Sequence, residues 1–406
     1  MYYKNISLKK IYEISVLLLL ISLSFSKAFP NLILGLTLIL FLFDRIKNKH
    51  LFRLDGVQIS ILTIMLYLLV KSSINNSLMY DSSILSRIII ILILPILICN
   101  ISKNKIIFAL IVSALVSITI ATYNIFFFYL KYHYLPFERG EIINKLLVIE
   151  RPYLGFFCLI ALISCIYLSA IKVKYKTLLI ILSLVFTFFI ILIAARLALI
   201  SGLLLSVIYL IFYTKYRPFN KLLILSISLV LVSIVVISNK NLSTRLLSNL
   251  TAEKLKYYDA RIDIWDCSLR LIESKEFDFF FGSRSYQYIE NSLVECYKTK
   301  FDYDLKKRSW FVESRFNTHN QFLDFFLMAG VLGAILFFYF NYLIIKESIY
   351  NFYFFSLVLS LVLFFIFENV FHRQLGCYLI AIIISIIKKD NTKLNFLNYK
   401  ENKELI

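Results

Sequence analysis

Twelve runs of apolar residues, separated by short polar stretches, occupy most of the chain. A helix that crosses a bilayer needs ~20 predominantly apolar residues, and windows of about that length recur from end to end. They lie at about 11–29, 31–44, 56–74, 85–101, 106–130, 153–171, 177–195, 197–214, 221–238, 321–345, 350–370 and 374–388. The pattern predicts an all-α polytopic membrane protein with about twelve transmembrane helices and one large loop.

This pattern divides the chain into four parts. They are residues 1–238 with nine predicted helices, a hydrophilic segment 239–320, residues 321–388 with three more helices, and a tail 389–406. The start of the chain resembles a signal peptide, since lysines precede its first apolar run. No cleavage pattern of small residues follows, so we expect an uncleaved first helix.

The composition supports a membrane location and the positive charges give an orientation. Apolar residues make up 60% of the 406 residues and charged residues 17%, and mean hydropathy is +0.79, whereas soluble domains are nearer 45–50% apolar. Loop lysines and arginines mark the cytoplasmic side. If the N-terminus is in the cytoplasm, the basic clusters of alternate loops all fall on the cytoplasmic side. They are Arg45, Lys47, Lys49, Arg53, Lys103, Lys105, Lys172, Lys174, Lys176, Lys215, Arg217, Lys221, Lys388 and Lys389.

The net charge of +19 is therefore mainly a topology signal, and we expect no nucleic-acid partner. The same orientation puts a loop at about 131–152, the segment 239–320 and the ends of several helices on the opposite, outer side. Cys267 and Cys296 both lie in the longer segment and could form a disulfide if that compartment is a periplasm, although no pattern in the sequence fixes their distance. The other four cysteines lie in apolar runs and are expected to be packing residues.

Two of the outer-side polar positions are arginines. Arg196 stands in "IAARLALISG", where the connection between two apolar runs is so short that the side chain must lie at the membrane border. Ionisable groups there are costly and are functional by default, although an anchor reaching the head groups is the simpler alternative. Arg261 begins an amphipathic helix in "YYDARIDIWDCSLRLIE", residues 257–273, and Asp259 just before it also allows a surface ion pair.

A third position is His319 in "FNTHNQFLDFFLMAGVLGAILFFYF", residues 316–340. Asn317 or Thr318 is expected to cap the following helix, which would put His319 in its first turn. Histidine titrates near neutral pH and serves as a general acid or base; a histidine that merely lies at the interface is the alternative. Gly330 and Gly333 would let a neighbouring helix approach closely.

The fourth position is "FENVFHRQLG", residues 367–376, between the last two apolar runs. Glu368, His372 and Arg373 lie there close to the outer border, and Glu368 is expected to pair with an arginine because a bare buried carboxylate is costly. Arginine matches phosphate geometry, so two or three arginines can hold a diphosphate. With a base beside them, the four positions suggest transfer from a lipid-linked phosphate donor at the outer membrane surface.

These motifs together resemble the O-antigen ligase and polymerase superfamily of bacterial envelopes. "HNQFLDFFLMAGVLG" fits the pattern H-N, nine residues, G-x-x-G, and "AARLAL", "ARIDIWDCSLRLI", "FFFGSRSYQ" and "FENVFHRQLG" resemble further segments of that family in the same order. The resemblance covers essentially the whole chain. One departure is Ala195, where the family more often has a polar residue before the arginine.

The resemblance implies a metal-independent, inverting glycosyltransferase of the GT-C type in the bacterial inner membrane, with its site facing the periplasm. The donor would be a glycan on undecaprenyl diphosphate, and the acceptor lipid A-core or another lipid-linked glycan. His319 would be the general base or would orient the acceptor, and Arg196 and Arg261 would hold the diphosphate. The substrate-binding residues would be Asn320, Glu368, Arg373 and Arg284. No cofactor is expected, and "DYD" at 302–304 is expected to be solvated surface and not a metal site.

Three functions remain open at this point. A ligase and a polymerase share this fold and differ in acceptor; the single dominant outer loop and the clean histidine motif favour the ligase. A polysaccharide transporter or flippase is the alternative of another class. It would require charges or broken helices near the middle of several spans, whereas the middles of these runs are almost wholly apolar.

Overall fold

The computed structural model describes residues 8–23, 28–48, 54–138, 140–238 and 259–388. Every one of the twelve apolar runs is helical there, and no strand occurs in these ranges, so the all-helical class is confirmed. The helices before the hydrophilic segment are α1 Leu8–Ser22, α2 Phe29–Asn48, α3 Gly56–Ile74, α4 Leu78–Ile98, α5 Lys103–Tyr132, α6 Gly140–Leu146, α7 Arg151–Ile171, α8 Lys176–Leu192, α9 Arg196–Ile208 with a π-helical turn Tyr209–Tyr213, and α10 Pro218–Ser238.

The remaining helices are α11 Ala260–Ile272, α12 Tyr286–Lys300, α13 Leu305–Ser314, α14 Gln321–Ser348, α15 Phe352–Phe367 and α16 Gln374–Lys388. In the part of the chain that the structure describes, seven helices are long and apolar enough to cross a membrane. The count of twelve spans stays a prediction. The tail 389–406 and residues 239–258 lie outside the described ranges.

The last helix, α16, forms the centre of the bundle. All residues from Gly376 to Ile387 are buried, which is the expected behaviour of a helix that is apolar on every side. It packs against α4, α15 and α14, with α5 and α7 further round. Around this centre, α3 packs on α14, and α7 packs on α8 and α9.

Basic residues from alternate loops meet at one end of the bundle. Arg45 donates to the Sγ atom of Cys99 at 3.4 Å, Lys105 pairs with Glu13, and Lys388 pairs with Asp55. These contacts join loops that the charge pattern assigns to a single side. Lys49 and Arg53, which the same pattern uses, lie outside the described residues.

At the opposite end, α11, α12 and α13 form a compact helical layer. A disulfide joins Cys267 on α11 to Cys296 on α12, with their Cα atoms 5.8 Å apart. Asp263 is buried between the Nζ atoms of Lys300 and Lys307, at 2.9 and 2.7 Å. The disulfide that the sequence left open is therefore formed, and it fixes the helix that begins with Arg261 to its neighbour.

The predicted continuous span over 321–345 is broken at Gly330. This residue has φ 63° and ψ −162° inside α14, so the helix consists of a short arm 321–329 and a long arm 331–348. The rings of Phe322 and Phe338 lie 5.2 Å apart, although a straight helix would separate residues at this spacing by roughly 24 Å. The two arms therefore fold back towards each other.

A turn of the outer layer fills this break, and the expectation of a neighbouring helix at Gly330 is wrong. The N–H groups of Val331 and Ser283 donate to the carbonyls of Phe279 and Leu327 at 2.9 and 2.8 Å. A Cβ atom at Gly330 would lie 2.3 Å from the carbonyl oxygen of Phe280. Only glycine combines this positive φ with so close a backbone approach.

Candidate active site

His319 lies in the short connection between α13 and α14, just before the helix and not within its first turn. Asn320 is the N-cap, and its side chain accepts from the Leu323 N–H at 2.9 Å. His319 itself has a left-handed φ of 45°, and its N–H donates to the Asn317 side chain at 3.2 Å. The cap predicted at Asn317 or Thr318 is one turn of chain too early, because the left-handed residue delays the start of the helix.

Glu368 joins His319 to Arg261. Its Oε2 atom lies 3.2 Å from Nδ1 of His319, and its Oε1 atom accepts from the guanidinium of Arg261 at 2.9 Å. Arg261 also donates through Nε to the carbonyl of Phe367 at 3.3 Å. Glu368 is the C-cap of the apolar helix α15, whereas Arg261 lies on α11 in the outer layer. The pair therefore joins the transmembrane bundle to the outer layer.

The carboxylate is buried beneath its two partners. The side chain of Glu368 is 7% exposed, while those of His319 and Arg261 are 26% and 24% exposed. Burial alone raises the pKa of Glu368, but the hydrogen bond and charge of His319 and the charge of Arg261 outweigh it, so the pKa lies below its ordinary value. The cluster thus presents an imidazole and a guanidinium outward from an ionised carboxylate.

This arrangement assigns the tautomer of His319. An ionised carboxylate only accepts hydrogen bonds, so Nδ1 of His319 carries the proton that faces Glu368. In the neutral imidazole, Nε2 is then left as an acceptor. The geometry therefore orients a proton-accepting nitrogen away from the carboxylate.

Arg196 belongs to the same region. It begins α9, directly after a turn in which Ala194 has φ 50°. Gly155 on α7 lets this turn approach, since a Cβ atom there would lie 2.4 Å from that of Ala195. Arg196 is partly buried, and the nearby charges whose fields reach it include Asp259 and Arg261.

Three other predicted site residues have different surroundings. Arg373 pairs with Glu150 at 3.0 Å, and both side chains are nearly half exposed. Asn320 acts as a helix cap, and its N–H donates to Asn369 at 2.6 Å. The structure does not bring Arg284 to the cluster: its carbonyl accepts from Asn75 at 3.1 Å, and its exposed side chain makes no contact with His319 among the described residues.

The polar network beneath His319 was not predicted from the sequence. Asn369, Asp324, Gln321 and Thr318 are buried and hydrogen-bonded to one another, and Oδ2 of Asp324 lies 2.7 Å from Nε2 of His372. Asn369 stands inside the quoted segment "FENVFHRQLG", next to Glu368. A buried amide that pairs with residues 318 to 324 has no sequence signal of its own.

Two basic residues inside apolar helices were also overlooked. Lys71 on α3 is buried and donates to the carbonyls of Ser283 and Met328, at 2.5 Å to the former. It thereby satisfies the Met328 carbonyl, which the break in α14 leaves without a helical partner, and joins it to the turn that contains Ser283. Arg87 lies in α4, partly buried, nine residues after Leu78. A charged residue within an apolar run is itself a signal, and these two could have been found.

The "DYD" stretch has structural partners. Asp302 forms an exposed ion pair with Arg308 at 3.0 Å, and Asp304 caps α13 by accepting from the Lys307 N–H at 3.0 Å. Over the ranges that the structure describes, no three His, Cys, Asp or Glu side chains are grouped as a metal site would require.

The helices that meet at the site are short. α15 has 16 residues and α16 has 15, which at 1.5 Å per residue is about 24 and 22 Å. By comparison, α4 and α7 have 21 residues each, or about 32 Å. Since the hydrocarbon core is about 30 Å thick, α15 and α16 are each shorter than that core, whereas α4 and α7 match it.

These features define an all-helical, multi-pass membrane protein with a histidine–carboxylate–arginine cluster at one end of its helices. Residues 178–338, less than half of the chain, match the family described as O-antigen ligase. The match runs from α8 into α14, includes Arg196, Arg261 and His319, and confirms the resemblance to the O-antigen ligase superfamily. No curated protein matches the chain.

Proposed function

We propose that this chain is an O-antigen ligase that transfers a glycan from undecaprenyl diphosphate to a hydroxyl of lipid A-core. The family indicates a ligase or polymerase of surface polysaccharide. The observation that carries the proposal of glycan transfer is the contact between His319 Nδ1 and Glu368 Oε2 at 3.2 Å, while the choice of the ligase rests on the single dominant outer loop and the histidine motif. It leaves Nε2 of His319 able to accept the proton of an acceptor hydroxyl.

The reaction is a single displacement. As His319 takes the hydroxyl proton, the acceptor oxygen attacks the anomeric carbon of the donor sugar. The bond from that carbon to the diphosphate oxygen breaks, and the diphosphate leaves with the electron pair, which inverts the anomeric configuration. Arg261 and Arg196 stabilise the charge on the leaving diphosphate, because a preorganised guanidinium acts strongly in a site shielded from water.

The position of the cluster suits a lipid-linked donor. A polyprenyl diphosphate has its phosphates at the membrane surface and its chain in the hydrocarbon, and Glu368 lies where the apolar helix α15 ends. The position of Arg373 at the rim, paired with exposed Glu150, makes it the weaker third candidate for the diphosphate. Asn320, predicted to bind substrate, would act there by capping the start of α14 beside His319.

A periplasmic site in the inner membrane is supported by two features. The disulfide Cys267–Cys296 lies in the layer that holds Arg261, and disulfides persist in oxidising compartments. The basic residues Arg45, Lys105 and Lys388 meet at the opposite end of the bundle, as the cytoplasmic end should.

Transport without chemistry is less well supported. A broken helix is typical of transporters, and α14 has one at Gly330. There, however, backbone groups of the turn 279–282 fill the break, so it lines no described passage. The ionisable cluster of His319, Glu368 and Arg261 lies at the end of the helices.

Complementation tests the proposal. A ligase-null and a polymerase-null strain would each receive the wild-type gene, His319→Ala or the control His133→Ala, and lipopolysaccharide would be run on a gel. His133 is an exposed histidine at the end of α5 and so matches the substitution without touching the site. Capped core in the ligase-null strain with the wild type and the control, and none with His319→Ala, is the expected result.

Two other results would change the assignment. A glycan ladder restored only in the polymerase-null strain would mean chain extension. If neither strain recovered while the protein was in the membrane, purified protein would be given its native lipid-linked donor. Failure to release diphosphate from that donor, with or without acceptor, would overturn the proposal of a transferase.

A further inference from the structure

The side chain of Asn369 is completely enclosed between the two segments that form the site. It is 1% exposed. Its Nδ2 atom donates to Oγ1 of Thr318 at 2.8 Å and to Oδ1 of Asp324 at 3.0 Å. Its Oδ1 atom accepts from the N–H of Asn320 at 2.6 Å and lies 3.0 Å from Oγ1 of Thr318. Since an amide offers two donors and two lone pairs, each of its hydrogen-bonding positions faces a partner.

These partners lie on both sides of His319. Thr318 precedes it and Asn320 follows it, and His319 between them has φ 45°. A residue other than glycine in the left-handed region is strained and keeps that conformation only where its surroundings enforce it. The Asn369 amide holds both neighbours, so it holds the backbone that aims the imidazole.

Asn369 also fixes Glu368, the partner of His319. Asn369 directly follows Glu368, so its side chain ties the carboxylate-bearing loop to the chain around His319. The hydroxyl of Tyr153 on α7 donates to the Asn369 carbonyl at 3.2 Å. Backbone and side chain are therefore both anchored, and the distance between Glu368 and His319 depends on Asn369.

The network below is rigid because its members are shared. Oδ2 of Asp324 lies 2.7 Å from Nε2 of His372 and 3.2 Å from Nε2 of Gln321. The Gln321 side chain in turn accepts from the N–H of Phe371 at 2.8 Å. On the outer side, Nε1 of Trp265 donates to the carbonyl of Thr318 at 2.9 Å, which connects α11 to the same anchor.

We infer that Asn369 is a positioning residue for glycan transfer, which acts by holding His319 in its left-handed conformation against Glu368. This inference rests on the proposed function. It differs from a general role in stability because the effect passes through His319. Loss of the amide would leave substrate binding largely intact and would slow the step in which His319 accepts the proton.

The test is a double-mutant cycle with the full-length protein in native membranes. Transfer of the host's undecaprenyl diphosphate-linked glycan to lipid A-core would be measured for wild type, Asn369→Ala, His319→Ala and the double variant. The matched control is Asn341→Ala, which removes a buried asparagine on α14 whose side chain donates to the Phe337 carbonyl of its own helix, at 2.7 Å.

Asn369→Ala is expected to lower kcat about 10–100-fold, the usual effect of losing a side chain that orients a reacting group, with KM for the donor within about twofold. In the His319→Ala background the same change is expected to cost less than about twofold, because the group that it positions is gone. Asn341→Ala is expected to keep the wild-type rate.

A second pair covers the event that Asn369→Ala does not fold. Thr318→Val removes the hydroxyl and keeps the shape, and Thr318→Ser keeps the hydroxyl; loss of kcat in the first and near wild-type kcat in the second support the inference. The inference would be overturned if the fold-loss in kcat of the double variant equalled the product of the losses in Asn369→Ala and His319→Ala. A wild-type rate in Asn369→Ala or Thr318→Val would also overturn it. A wild-type rate in His319→Ala would instead refute the proposed role of His319, and this inference with it.

Discussion

The imidazole of His319 and the carboxylate of Glu368 meet at 3.2 Å across 49 residues of chain, and one long and one short apolar helix separate them in sequence. The contact gives the histidine a defined tautomer and leaves the carboxylate shared with Arg261. The proposed base His319, the arginine proposed to hold the diphosphate and the carboxylate between them thus form a single unit. Variants of individual residues can test the role of each group separately.

Removing the charge of Glu368 should slow transfer without removing His319. In Glu368→Gln the amide can donate to or accept from Nδ1, so the tautomer is no longer fixed, and Arg261 loses its ion pair. We expect the rate to fall about 10–100-fold, measured as capped core formed per unit time in membranes. Glu295→Gln is the control, since its pair with Lys298 is solvent-exposed and worth little; equal losses in both variants would contradict the role of Glu368.

The same carboxylate should make stability depend on pH. The pKa of Glu368 is below its ordinary value of 4.5, so the unfolded state binds the proton more readily than the folded state. The stabilisation is fully present above the ordinary pKa and is lost as pH falls through the lower, native one. The gap in thermal midpoint between wild type and Glu368→Gln should therefore be fully present well above pH 4.5 and shrink as the pH falls below it. A gap that widens in acid would contradict this assignment.

The sequence predicted the helices well and the polar contacts only in part. Apolar runs of about 20 residues depend on the bilayer and not on tertiary context, which is why each of them is helical. Glu368 was expected to pair with an arginine, and Arg261 is that partner. The side chain of Asn369 was not foreseen, because a buried hydrogen-bond network depends on which loops meet and leaves no periodic pattern.

The break in α14 shows the same limit. Gly330 and Gly333 have the spacing of a helix-packing pair, yet Gly330 has φ 63° and receives a turn of the outer layer. Helix periodicity could not reveal this, because both arms are apolar. The positive φ of Gly330 accompanies close contact with the backbone of Phe280, which is fifty residues away in sequence.

Gly330→Ala should therefore destabilise the protein far more than a helical glycine would. Its Cβ atom would lie 2.3 Å from the Phe280 carbonyl oxygen and would strain the positive φ, with an expected cost of at least about 2 kcal/mol. Gly35→Ala on α2 is the control, because a Cβ atom there meets nothing within 4 Å and alanine favours helix. Thermal midpoints in detergent measure the difference. Similar midpoints for the two variants would mean that the break is not rigid.

The disulfide should hold the outer layer in place. Replacing both Cys267 and Cys296 by serine opens a cross-link that spans 29 residues, with an expected loss of about 2–4 kcal/mol. Because α11 carries Arg261, transfer should fall together with resistance of the outer layer to protease added from outside. Cys99→Ser, which changes an exposed free cysteine, should alter neither. Unchanged protease resistance in the double variant would contradict this.

Charge alone should not replace the arginine fork at Arg196. Arg196→Lys keeps the charge but loses the planar donors that bind a diphosphate at two points, so the donor KM should rise at least about tenfold. Arg284→Lys is the comparison, as this side chain is exposed and away from His319 among the described residues, and its KM should change by less than about twofold. Donor titration in membranes measures both. A larger rise in donor KM for Arg284→Lys than for Arg196→Lys would contradict a diphosphate site at Arg196.

The most direct measurement is the initial rate of transfer by purified protein in lipid nanodiscs, from native undecaprenyl diphosphate-linked glycan to lipid A-core. Wild type and His319→Ala would be compared at saturating donor, with donor binding measured in parallel. We expect transfer by the wild type and a rate at least about 100-fold lower in His319→Ala, with donor binding retained. Equal rates in the two proteins would contradict general-base catalysis by His319.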